Sequence, residues 1–369
     1  MRVAIDTRKL HDFGIGTYVS NLVRGLARLD RDHDYTLICH PNDADFVKSL
    51  GANFHAWPDR SGNYSVQEQI TVPVDVWRAK PDLFHAPHYV LPPLTPGKSV
   101  VTIHDCIHLR FPQYLPNRVA HVYARVFLSA AAHKAARVIT VSEASKRDIV
   151  HFLGTPANKV DVVYNGFDER LTSPSLEDET RVRNRFQLDA PFVLYAGNIK
   201  PHKNVDRLIE AFARLRRRGM DNVKLLIIGD DISKYSSLRR LVHRHQLHQH
   251  VRFLGFVSTD TLAALYQLAQ VFVFPSLYEG FGLPPLEAMA NGTPVITSNV
   301  SSLPEVVGDA ALLIDPMDAD SIANAMYRVL HEPELRAELV RRGHERVKAF
   351  SWERSVARTH EIYMDVVRG

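Results

Sequence analysis

Short runs of apolar, often β-branched residues alternate along the chain with longer segments in which apolar positions recur every three or four residues. The first pattern predicts buried strands and the second predicts amphipathic helices. In the first half, strands are predicted at residues 3–6, 35–39, 83–85, 100–103, 138–141 and 160–163. Helices are predicted between them, notably at residues 16–29, 118–136 and 143–153. This alternation favours a parallel sheet with crossover helices.

The same alternation returns after residues 168–180, which lose periodicity and are predicted to form a linker. Strands are predicted at residues 192–196, 224–229, 251–254, 271–275, 294–297 and 311–314. Helices are predicted at residues 205–218, 259–268, 283–290 and 321–331. The chain is therefore predicted to be an α/β protein with two Rossmann-like, doubly wound domains that face each other across a cleft.

The predicted domains are residues 1–170 and residues 181–350. The pattern beyond about residue 342 is helical to the end, with a break at Ser351. One interpretation is that the last helix, residues 351–369, crosses back to pack on the first domain. The alternative is a single long helix broken at Ser351.

Composition narrows the classes of function. The chain has 369 residues, with 45 Lys plus Arg against 41 Asp plus Glu, and this surplus is too small to favour nucleic acid. Cys39 and Cys106 are too few for a disulfide framework and favour a reducing compartment. No signal peptide is recognisable, and no apolar run approaches the ~20 residues of a membrane span, so a cytoplasmic location is expected.

The strongest local signal is the segment at residues 279–287, which follows a predicted buried strand and opens a predicted helix. Backbone N–H groups at a helix N-terminus lack partners within the helix and carry the positive end of its dipole, so they attract phosphate. Gly280 and Gly282 would let a phosphate approach that backbone closely. Glu279 and Glu287 carry carboxylates, each of which can accept hydrogen bonds from neighbouring sugar hydroxyls. The alternative is a helix N-terminus at which Glu279 only complements the dipole.

Residues 279–296 resemble the E-x7-E region of retaining glycosyltransferases with the GT-B fold, and glycosyltransferase family 4 is the most similar family. The resemblance implies that Glu279 contacts hydroxyls of the donor sugar and that Glu287 binds the ribose of the nucleotide. It also implies that the backbone of Phe281, Gly282 and Leu283 meets the diphosphate and the sugar.

A second candidate site follows the predicted strand at residues 192–196. A lysine there would present a cation at the end of a strand, as a diphosphate leaving group requires. The segment resembles the family's G-R-x-x-x-x-K loop, which implies that Lys203 binds the diphosphate. Asn198 stands where many members have arginine, so more of the neutralisation would rest on Lys203. The alternative is a solvated lysine in the first turn of a helix.

Three further residues, Gly16, His104 and Val257, match the family outside these two segments. Near Gly16, a dinucleotide cofactor site is disfavoured, because Val19 occupies the third glycine position of the G-x-G-x-x-G fingerprint. The resemblance implies instead that a loop at Gly16 closes on the donor diphosphate; the alternative is a tight turn that needs a positive φ. His104 matches a histidine that contacts the donor sugar, and Val257 matches a residue whose backbone meets the base.

Metal and membrane contacts are secondary hypotheses. The His-, Asp- and Cys-containing group at residues 104–108 lacks a regular ligand spacing, so a metal site there is disfavoured. Residues 30–32 spell a D-x-D motif but precede a predicted strand, and a turn is predicted. The helix at residues 118–136 is predicted to face the core with a solvated basic side. The alternative is a weak peripheral contact at the cytoplasmic face of a membrane.

The resemblance implies a retaining, metal-independent transferase without a cofactor. Residues 1–170 would then form the acceptor-side domain, and residues 181–350 would bind the nucleotide sugar. It would move a hexose from a nucleotide sugar to a hydroxyl of a glycan, a lipid-linked glycan or a small molecule, with His104, Lys203 and Glu279 as catalytic residues. GDP-mannose is the predicted donor, because the chain looks most like bacterial mannosyltransferases of polysaccharide assembly, and UDP-glucose-type donors come next. The alternatives are a GT-B-like nucleotide-sugar epimerase, a non-catalytic nucleotide-sugar-binding protein and, third, a dehydrogenase.

Overall fold

The structure, a computed structural model, describes residues 1–62, 64–65, 67–115, 117–167 and 174–369, without the side chain of Phe13. The chain divides into two compact units, one of residues 1–166 with 351–369 and the other of residues 167–350. Each unit is built on a parallel sheet flanked by helices, which confirms the α/β class predicted from the alternating pattern.

The first unit contains a seven-stranded sheet. Its strands are β1 (Arg2–Asp6), β2 (Asp34–Cys39), β3 (Phe54–Pro58), β4 (Leu83–Ala86), β5 (Ser99–Thr102), β6 (Arg137–Thr140) and β7 (Val160–Val162). Its helices up to this point are α1 (Phe13–Leu29), α2 (Ala44–Leu50), α3 (Glu68–Ala79), α4 (Ile107–Arg110), α5 (Arg118–Lys134) and α6 (Glu143–Leu153). The strands run in the order β3-β2-β1-β4-β5-β6-β7, and every pair is parallel.

The period-two alternation of a strand divides the first unit's core between the two faces of its sheet. Val3 and Ile5 of β1 face a cluster that includes Val23 of α1, whereas Ala4 faces a second cluster that includes Val76 of α3 and Leu128 of α5. Helices therefore cover both faces, as a parallel sheet of buried strands requires.

The second unit contains a six-stranded sheet. Its helices are α7 (Leu176–Phe186), α8 (Val205–Arg216), α9 (Ser236–Arg244), α10 (Thr259–Leu268), α11 (Leu283–Ala290), α12 (Leu303–Val307), α13 (Ala319–His331) and α14 (Pro333–Val347). Its strands are β8 (Phe192–Ala196), β9 (Lys224–Ile228), β10 (Val251–Gly255), β11 (Val271–Phe274), β12 (Val295–Ser298) and β13 (Ala311–Ile314). They run in the order β10-β9-β8-β11-β12-β13 and are all parallel.

The last helix, α15 (Trp352–Arg368), belongs to the first unit. Ser351 caps it by accepting hydrogen bonds from the backbone of Glu353 and Arg354. α15 packs on α1, where Val356 lies so close to Gly25 that a Cβ there would approach the valine side chain to 2.5 Å. The interpretation that the last helix crosses back to the first domain is therefore confirmed.

Several elements were not predicted. β3 is an edge strand that ends in Pro58, and α3 contains Pro73, so neither shows an uninterrupted apolar pattern. The predicted linker is also wrong in its last part, because α7 begins at Leu176. A capping box between Ser175 and Asp178 stabilises this helix start. Residues 168–173 of the predicted linker lie outside the described residues.

Candidate active site

The topology of the second sheet identifies a site at the ends of two adjacent strands. β8 and β11 are neighbours, and the chain continues from β8 towards β9 and from β11 towards β12, on opposite sides. The loops that follow these strands therefore leave the sheet in opposite directions, which creates a crevice at their carboxyl ends. Lys203 lies in the loop after β8 and Glu279 in the loop after β11, so the fold brings the two predicted segments together.

Lys203 and Glu279 form a direct ion pair. The Nζ of Lys203 donates a hydrogen bond of 2.6 Å to Oε1 of Glu279, and the two side chains are 14% and 12% exposed. The same Nζ lies 5.2 Å from the centre of the Phe274 ring at the end of β11. Such a shielded pair interacts more strongly than a surface ion pair, because the local dielectric is lower. Each group can exchange its partner for a charged or hydroxyl-rich ligand.

The loop that carries Lys203 is fixed by its neighbour Asn204. Asn204 adopts a left-handed conformation with φ 60°, at which the loop turns into α8. Its buried side-chain amide donates hydrogen bonds to the carbonyls of Pro275, at 3.0 Å, and Pro316, at 2.7 Å. The backbone N–H of Leu277 donates to the carbonyl of His202 at 2.7 Å. These contacts hold the loops after β8 and β11 together. The role of Asn204 was not predicted, although an asparagine directly before a predicted helix was a signal for it.

The turn before α11 is held in a conformation that requires glycine. Gly282 has φ 116° and is the N-cap residue of α11. The hydroxyl of Ser302 shares its proton between the carbonyls of Phe281, at 2.7 Å, and Glu279, at 3.0 Å, and so fixes the turn from its other side. Pro284 and Pro285 have no N–H, so an anion at this helix start would be bound by the backbone N–H groups just before them. Those groups include the N–H of Leu283, in the segment that the sequence analysis selected.

Glu287 lies on α11 and accepts a hydrogen bond from α10. The hydroxyl of Tyr266, which is fully buried, donates to Oε2 of Glu287 at 3.1 Å. Burial, with a smaller contribution from the charge of Glu287, raises the pKa of Tyr266 well above 10. The tyrosine therefore stays protonated and orients the carboxylate, whose remaining lone pairs can accept hydroxyl groups of a ligand. Tyr266 is a second residue that the sequence did not single out.

Asn198 and Asp230 shape the start of the loop after β8. The carbonyl of Asn198 accepts a hydrogen bond of 3.0 Å from the buried hydroxyl of Tyr195. The carboxylate of Asp230, which follows the end of β9, accepts one of 3.0 Å from the backbone N–H of Ile199. Burial, followed by the charges of Glu279 and Asp230, raises the pKa of Tyr195 well above 10. Asn198 is thus held by its backbone and is half-buried, in the same loop after β8 that carries Lys203.

Val257 lies in the loop between β10 and α10, where Ser258 caps the helix. The pairing of β10 with β9 shifts its register between Phe253 and Gly255, at the end of the strand. Val257 is half-buried in this loop, and Phe256 beside it is 64% exposed. The structure therefore places Val257 at the carboxyl edge of the same sheet, two strands away from β8.

His104 belongs to the first unit and follows the end of β5. Its Nε2 donates a hydrogen bond of 2.9 Å to the carbonyl of Pro87, which leaves Nδ1 unprotonated in the neutral ring. Burial lowers the pKa of His104 below its usual 6.5, so the imidazole is neutral at pH 7. The ring of Tyr18 packs edge-on against it at 4.9 Å, and the imidazole is thereby oriented.

Gly16, the other predicted residue of the first unit, lies within the first turn of α1, which begins at Phe13 and so earlier than predicted. The positive φ considered as an alternative explanation is wrong, because Gly16 is not among the residues with a left-handed backbone. The reason for glycine is close approach: a Cβ would lie 2.4 Å from the carbonyl oxygen of Leu10. Gly14 has no such neighbour within 4 Å.

The residues weighed for metal binding have other partners in the structure. The motif at residues 30–32 forms a turn, in which the carboxylate of Asp30 accepts a hydrogen bond of 2.9 Å from the N–H of Asp32. In the part of the chain that the structure describes, the potential ligand atoms of Asp30, His33 and His360 lie within 4.8 Å of one another, and the group at residues 104–108 forms no such cluster. Both histidines already hydrogen-bond to Oδ2 of Asp30, at 2.8 and 3.0 Å, which explains the cluster without an ion.

Comparison with known proteins identifies two family models that together cover most of the chain. The model described as Glycosyltransferase Family 4 matches residues 14–171, and the model described as Glycosyl transferases group 1 matches residues 177–346. The chain is 34% identical to the O-antigen chain mannosyltransferase B of Escherichia coli over 76% of its own length and 74% of that protein. It is 28% identical to the O-antigen chain mannosyltransferase RfbU of Salmonella typhimurium, over 81% and 82% of the two chains.

A solved structure agrees with the fold over almost the whole chain. The sucrose-phosphate synthase of Thermosynechococcus elongatus superimposes with a TM-score of 0.81 and 25% identity, covering 99% of both chains. The solved structures that resemble this chain have the GT-B fold, so the predicted fold class is confirmed for the arrangement of strands and helices in each unit.

Proposed function

Because the chain belongs to glycosyltransferase family 4, we propose that it transfers a mannosyl residue from GDP-mannose to a hydroxyl group of a glycan acceptor. The acceptor class includes lipid-linked glycans and small polyhydroxylated molecules. The sugar is suggested by the two mannosyltransferases to which the chain is similar over most of its length. The observation that carries the chemistry is the Lys203–Glu279 pair, which puts a cation and a sugar-hydroxyl acceptor together at the ends of β8 and β11.

Departure of the diphosphate is the step that most needs the protein. Negative charge grows on the leaving group as the sugar carbon becomes cationic, so a fixed positive field at the phosphates lowers the barrier. Lys203 and the backbone that opens α11, at Phe281, Gly282 and Leu283, would supply that field. Asn198 has a neutral amide where many family members have an arginine. Lys203 would therefore neutralise more of the negative charge of the diphosphate.

The remaining residues would position the donor. Glu279, released from Lys203, would accept hydroxyls of the sugar, and Glu287, oriented by Tyr266, would accept the ribose hydroxyls. The backbone at Val257 would meet the base. His104 and Gly16 keep the roles that the family resemblance implies for them, at the sugar and at the diphosphate.

The proposed reaction retains the configuration of the sugar and needs no metal. The leaving phosphate would take the proton of the acceptor hydroxyl as the new bond forms on the same face, so no additional protein base is required. Product analysis by NMR tests retention, since an α-linked product from an α-linked donor is expected. Full activity after exhaustive treatment with EDTA is expected, and a loss that Mg²⁺ or Mn²⁺ restores would contradict metal independence.

The donor is tested by thermal shift with GDP and UDP, followed by transfer assays with GDP-mannose and UDP-glucose. Binding raises the melting temperature according to occupancy, so GDP should stabilise the protein more than UDP at equal concentration. Equal stabilisation would remove the support for a guanine nucleotide. Incubation with donor alone separates transfer from isomerisation, because an epimerase would convert the sugar without any acceptor.

A peripheral contact with the cytoplasmic face of a membrane also belongs to this proposal. In the described part of the chain, no helix has both the length and the apolar character needed to cross a bilayer.

A further inference from the structure

Glu68, His88 and Tyr123, all in the first unit, each carry a buried polar atom that makes no hydrogen bond to any described residue. The atoms are Oε1 of Glu68 at the start of α3, Nε2 of His88 after β4, and the hydroxyl of Tyr123 on α5. Glu68 is fully buried, and His88 is 2% exposed. An unpaired buried polar group costs folding free energy, so native proteins retain few of them. A group of them in one place therefore points to a ligand.

The three residues lie around Tyr64. The ring of Tyr64 meets that of His88 edge-on, with the ring centres 5.8 Å apart, and lies equally far from the ring of Tyr89. Burial, followed by the charges of Glu68 and Tyr64, raises the pKa of Tyr123 from its usual 10, so Tyr123 is close to both. We name Tyr64, Glu68, His88, Tyr89 and Tyr123 the Tyr64 cluster.

Tyr64 is the member of the cluster through which a ligand can enter. It is 44% exposed, and its ring also covers Nζ of Lys9, which lies 4.1 Å from the ring centre. Its φ of 61° is in the left-handed region, which is unfavourable for a bulky side chain. Backbone strain of this kind is concentrated at ligand-binding and catalytic sites. A ligand that displaces the Tyr64 ring would therefore relieve strain and reach the unpaired atoms.

The unpaired atoms offer both donors and acceptors. Nδ1 of His88 accepts a hydrogen bond of 3.3 Å from the N–H of Val90, so the proton of the neutral ring is on Nε2. Burial lowers the pKa of His88 well below 6.5 and keeps the ring neutral. The cluster thus presents an N–H donor, a carboxylate acceptor at Glu68 and a hydroxyl at Tyr123, which can do either.

The charges of this region disfavour an anionic ligand. Arg8 is buried among three carboxylates, those of Asp6, Glu68 and Asp59, at 2.7, 3.4 and 3.7 Å. Lys9 is paired with Asp12 at 2.9 Å. Two cations therefore face four carboxylates, and a further anion would be repelled.

We propose that the Tyr64 cluster binds a neutral hexopyranose ring of the acceptor, an inference that rests on the transferase function proposed above. Adjacent sugar hydroxyls donate and accept hydrogen bonds at once, as the three unpaired atoms require. The rings of Tyr64 and Tyr89 supply an apolar surface for the C–H face of the sugar. His88 is also near enough to His104 for their charges to interact, so the cluster lies beside the histidine that the proposed function assigns to the donor sugar.

Saturation-transfer NMR on the full chain tests the site without any transfer reaction, with methyl α-D-mannopyranoside as the probe. Wild type and Glu279→Gln should both bind it, since Glu279 belongs to the proposed donor site of the second unit. The 6-phosphate of the same glycoside should bind at least about tenfold more weakly, because the carboxylates repel it. Absence of mannoside binding by the wild type, or equal binding of the 6-phosphate, would overturn the proposal.

Tyr123→Phe and His88→Asn each remove one unpaired atom, and the asparagine keeps an acceptor for the N–H of Val90. Each should raise the Kd for the mannoside about three- to tenfold, the scale of one hydrogen bond. The melting temperature of Tyr123→Phe should not fall, because its hydroxyl has no partner to lose among the described residues. Tyr164→Phe removes an exposed hydroxyl after β7, three strands from β4, and should bind like the wild type. A lower melting temperature with unchanged mannoside binding in Tyr123→Phe would assign the hydroxyl to stability alone and overturn the proposal.

Kinetics separate this assignment from the proposed function. With GDP-mannose as the donor, both variants should raise the KM for the mannoside as acceptor and leave the KM for GDP-mannose unchanged. Transfer with an unchanged acceptor KM in both variants would reject the acceptor site alone. The expected pattern of mannoside binding without transfer from any nucleotide sugar would support the sugar site and reject the proposed function.

Discussion

Lys203 and Glu279, which lie in loops after adjacent strands of the second sheet, hold each other through a 2.6 Å hydrogen bond. The proposed function assigns the lysine to the diphosphate and the glutamate to the sugar. Binding of the donor would therefore break one ion pair and create a contact for each partner. A substitution of either residue should therefore affect the binding of the nucleotide alone differently from the binding or turnover of the whole nucleotide sugar.

Glu279→Gln should separate nucleotide binding from catalysis. Without the Glu279 carboxylate, GDP no longer has to break an ion pair in order to reach Lys203. The Kd for GDP should therefore fall about three- to tenfold, the scale of one partly shielded ion pair. Transfer should nevertheless decrease at least about a hundredfold, because an acceptor of the sugar hydroxyls is lost. Calorimetric titration with GDP and a transfer assay measure the two effects. Weaker GDP binding with near-normal transfer would contradict the assignment.

Lys203→Ala should weaken GDP binding and cut turnover at least about a hundredfold, because it removes the cation at the leaving group. The matched control is Lys200→Ala, which removes an exposed cation from the same loop and should leave both measurements unchanged. Equal losses in the two variants would show that the loop, and not the position of Nζ, is responsible. Melting temperatures of both proteins must match the wild type before rates are compared.

Tyr266→Phe tests whether Glu287 is oriented for the nucleotide. The variant removes one hydrogen bond to Glu287, which is worth about 1 kcal/mol, so the KM for the donor should rise about two- to tenfold with little change in kcat. Tyr327→Phe, on α13, serves as the control. A fall in kcat with an unchanged KM would assign Tyr266 to the chemical step and not to donor binding.

The sequence predicted the elements that position this site because their signals are local. β8, α10, α11 and β13 have the predicted bounds, since each is a buried run or is bounded by a cap or a proline. The ion pair itself could not be predicted from the spacing of its residues, which are 76 positions apart. It depends on β8 and β11 being neighbours, and strand order is set by how the whole sheet packs.

In the first unit, two elements were not predicted because their own sequence patterns are weak. Pro73 within α3 and Pro58 at the end of β3 concealed both elements. α5 has the predicted basic outer side, with Arg118 and Arg125 exposed, but Val119, Val122 and Val126 are exposed as well. A period of 3.6 identifies the faces of a helix, but it does not say which apolar face the sheet will cover.

Gly16→Ala and Gly14→Ala form a matched pair in the first turn of α1. A Cβ at position 16 would lie 2.4 Å from the carbonyl oxygen of Leu10, so the backbone must shift and the unfolding free energy should fall by about 1–3 kcal/mol. At position 14 nothing lies within 4 Å, and alanine should be neutral or stabilise the helix by up to about 1 kcal/mol. Tryptophan fluorescence in urea reports on the first unit, which contains Trp57, Trp77 and Trp352. Equal stability of the two variants would contradict the close-approach explanation.

His85 should make the first unit less stable in mild acid. It is fully buried on β4, with ring nitrogens 2.5 Å from the hydroxyl of Tyr363 and 2.8 Å from that of Thr102. Burial lowers its pKa from 6.5 to about 3. Between those values the unfolded chain binds a proton that the folded chain does not, so the unfolding free energy rises with pH over this window and is lost as the pH falls. Above pH 6.5 both states are neutral and the effect vanishes.

The expected contribution of His85 is a slope approaching about 1.4 kcal/mol per pH unit below its unfolded pKa. His85→Gln should lower that slope by the equivalent of one proton, whatever its effect on stability at pH 7, whereas His40→Gln, at an exposed position, should not. Urea unfolding followed by tryptophan fluorescence at several pH values between 4.5 and 7.5 measures the slope. An unchanged slope in His85→Gln would mean that the buried imidazole takes up its proton without unfolding, which two hydroxyl partners could allow only if both turned their lone pairs towards the ring.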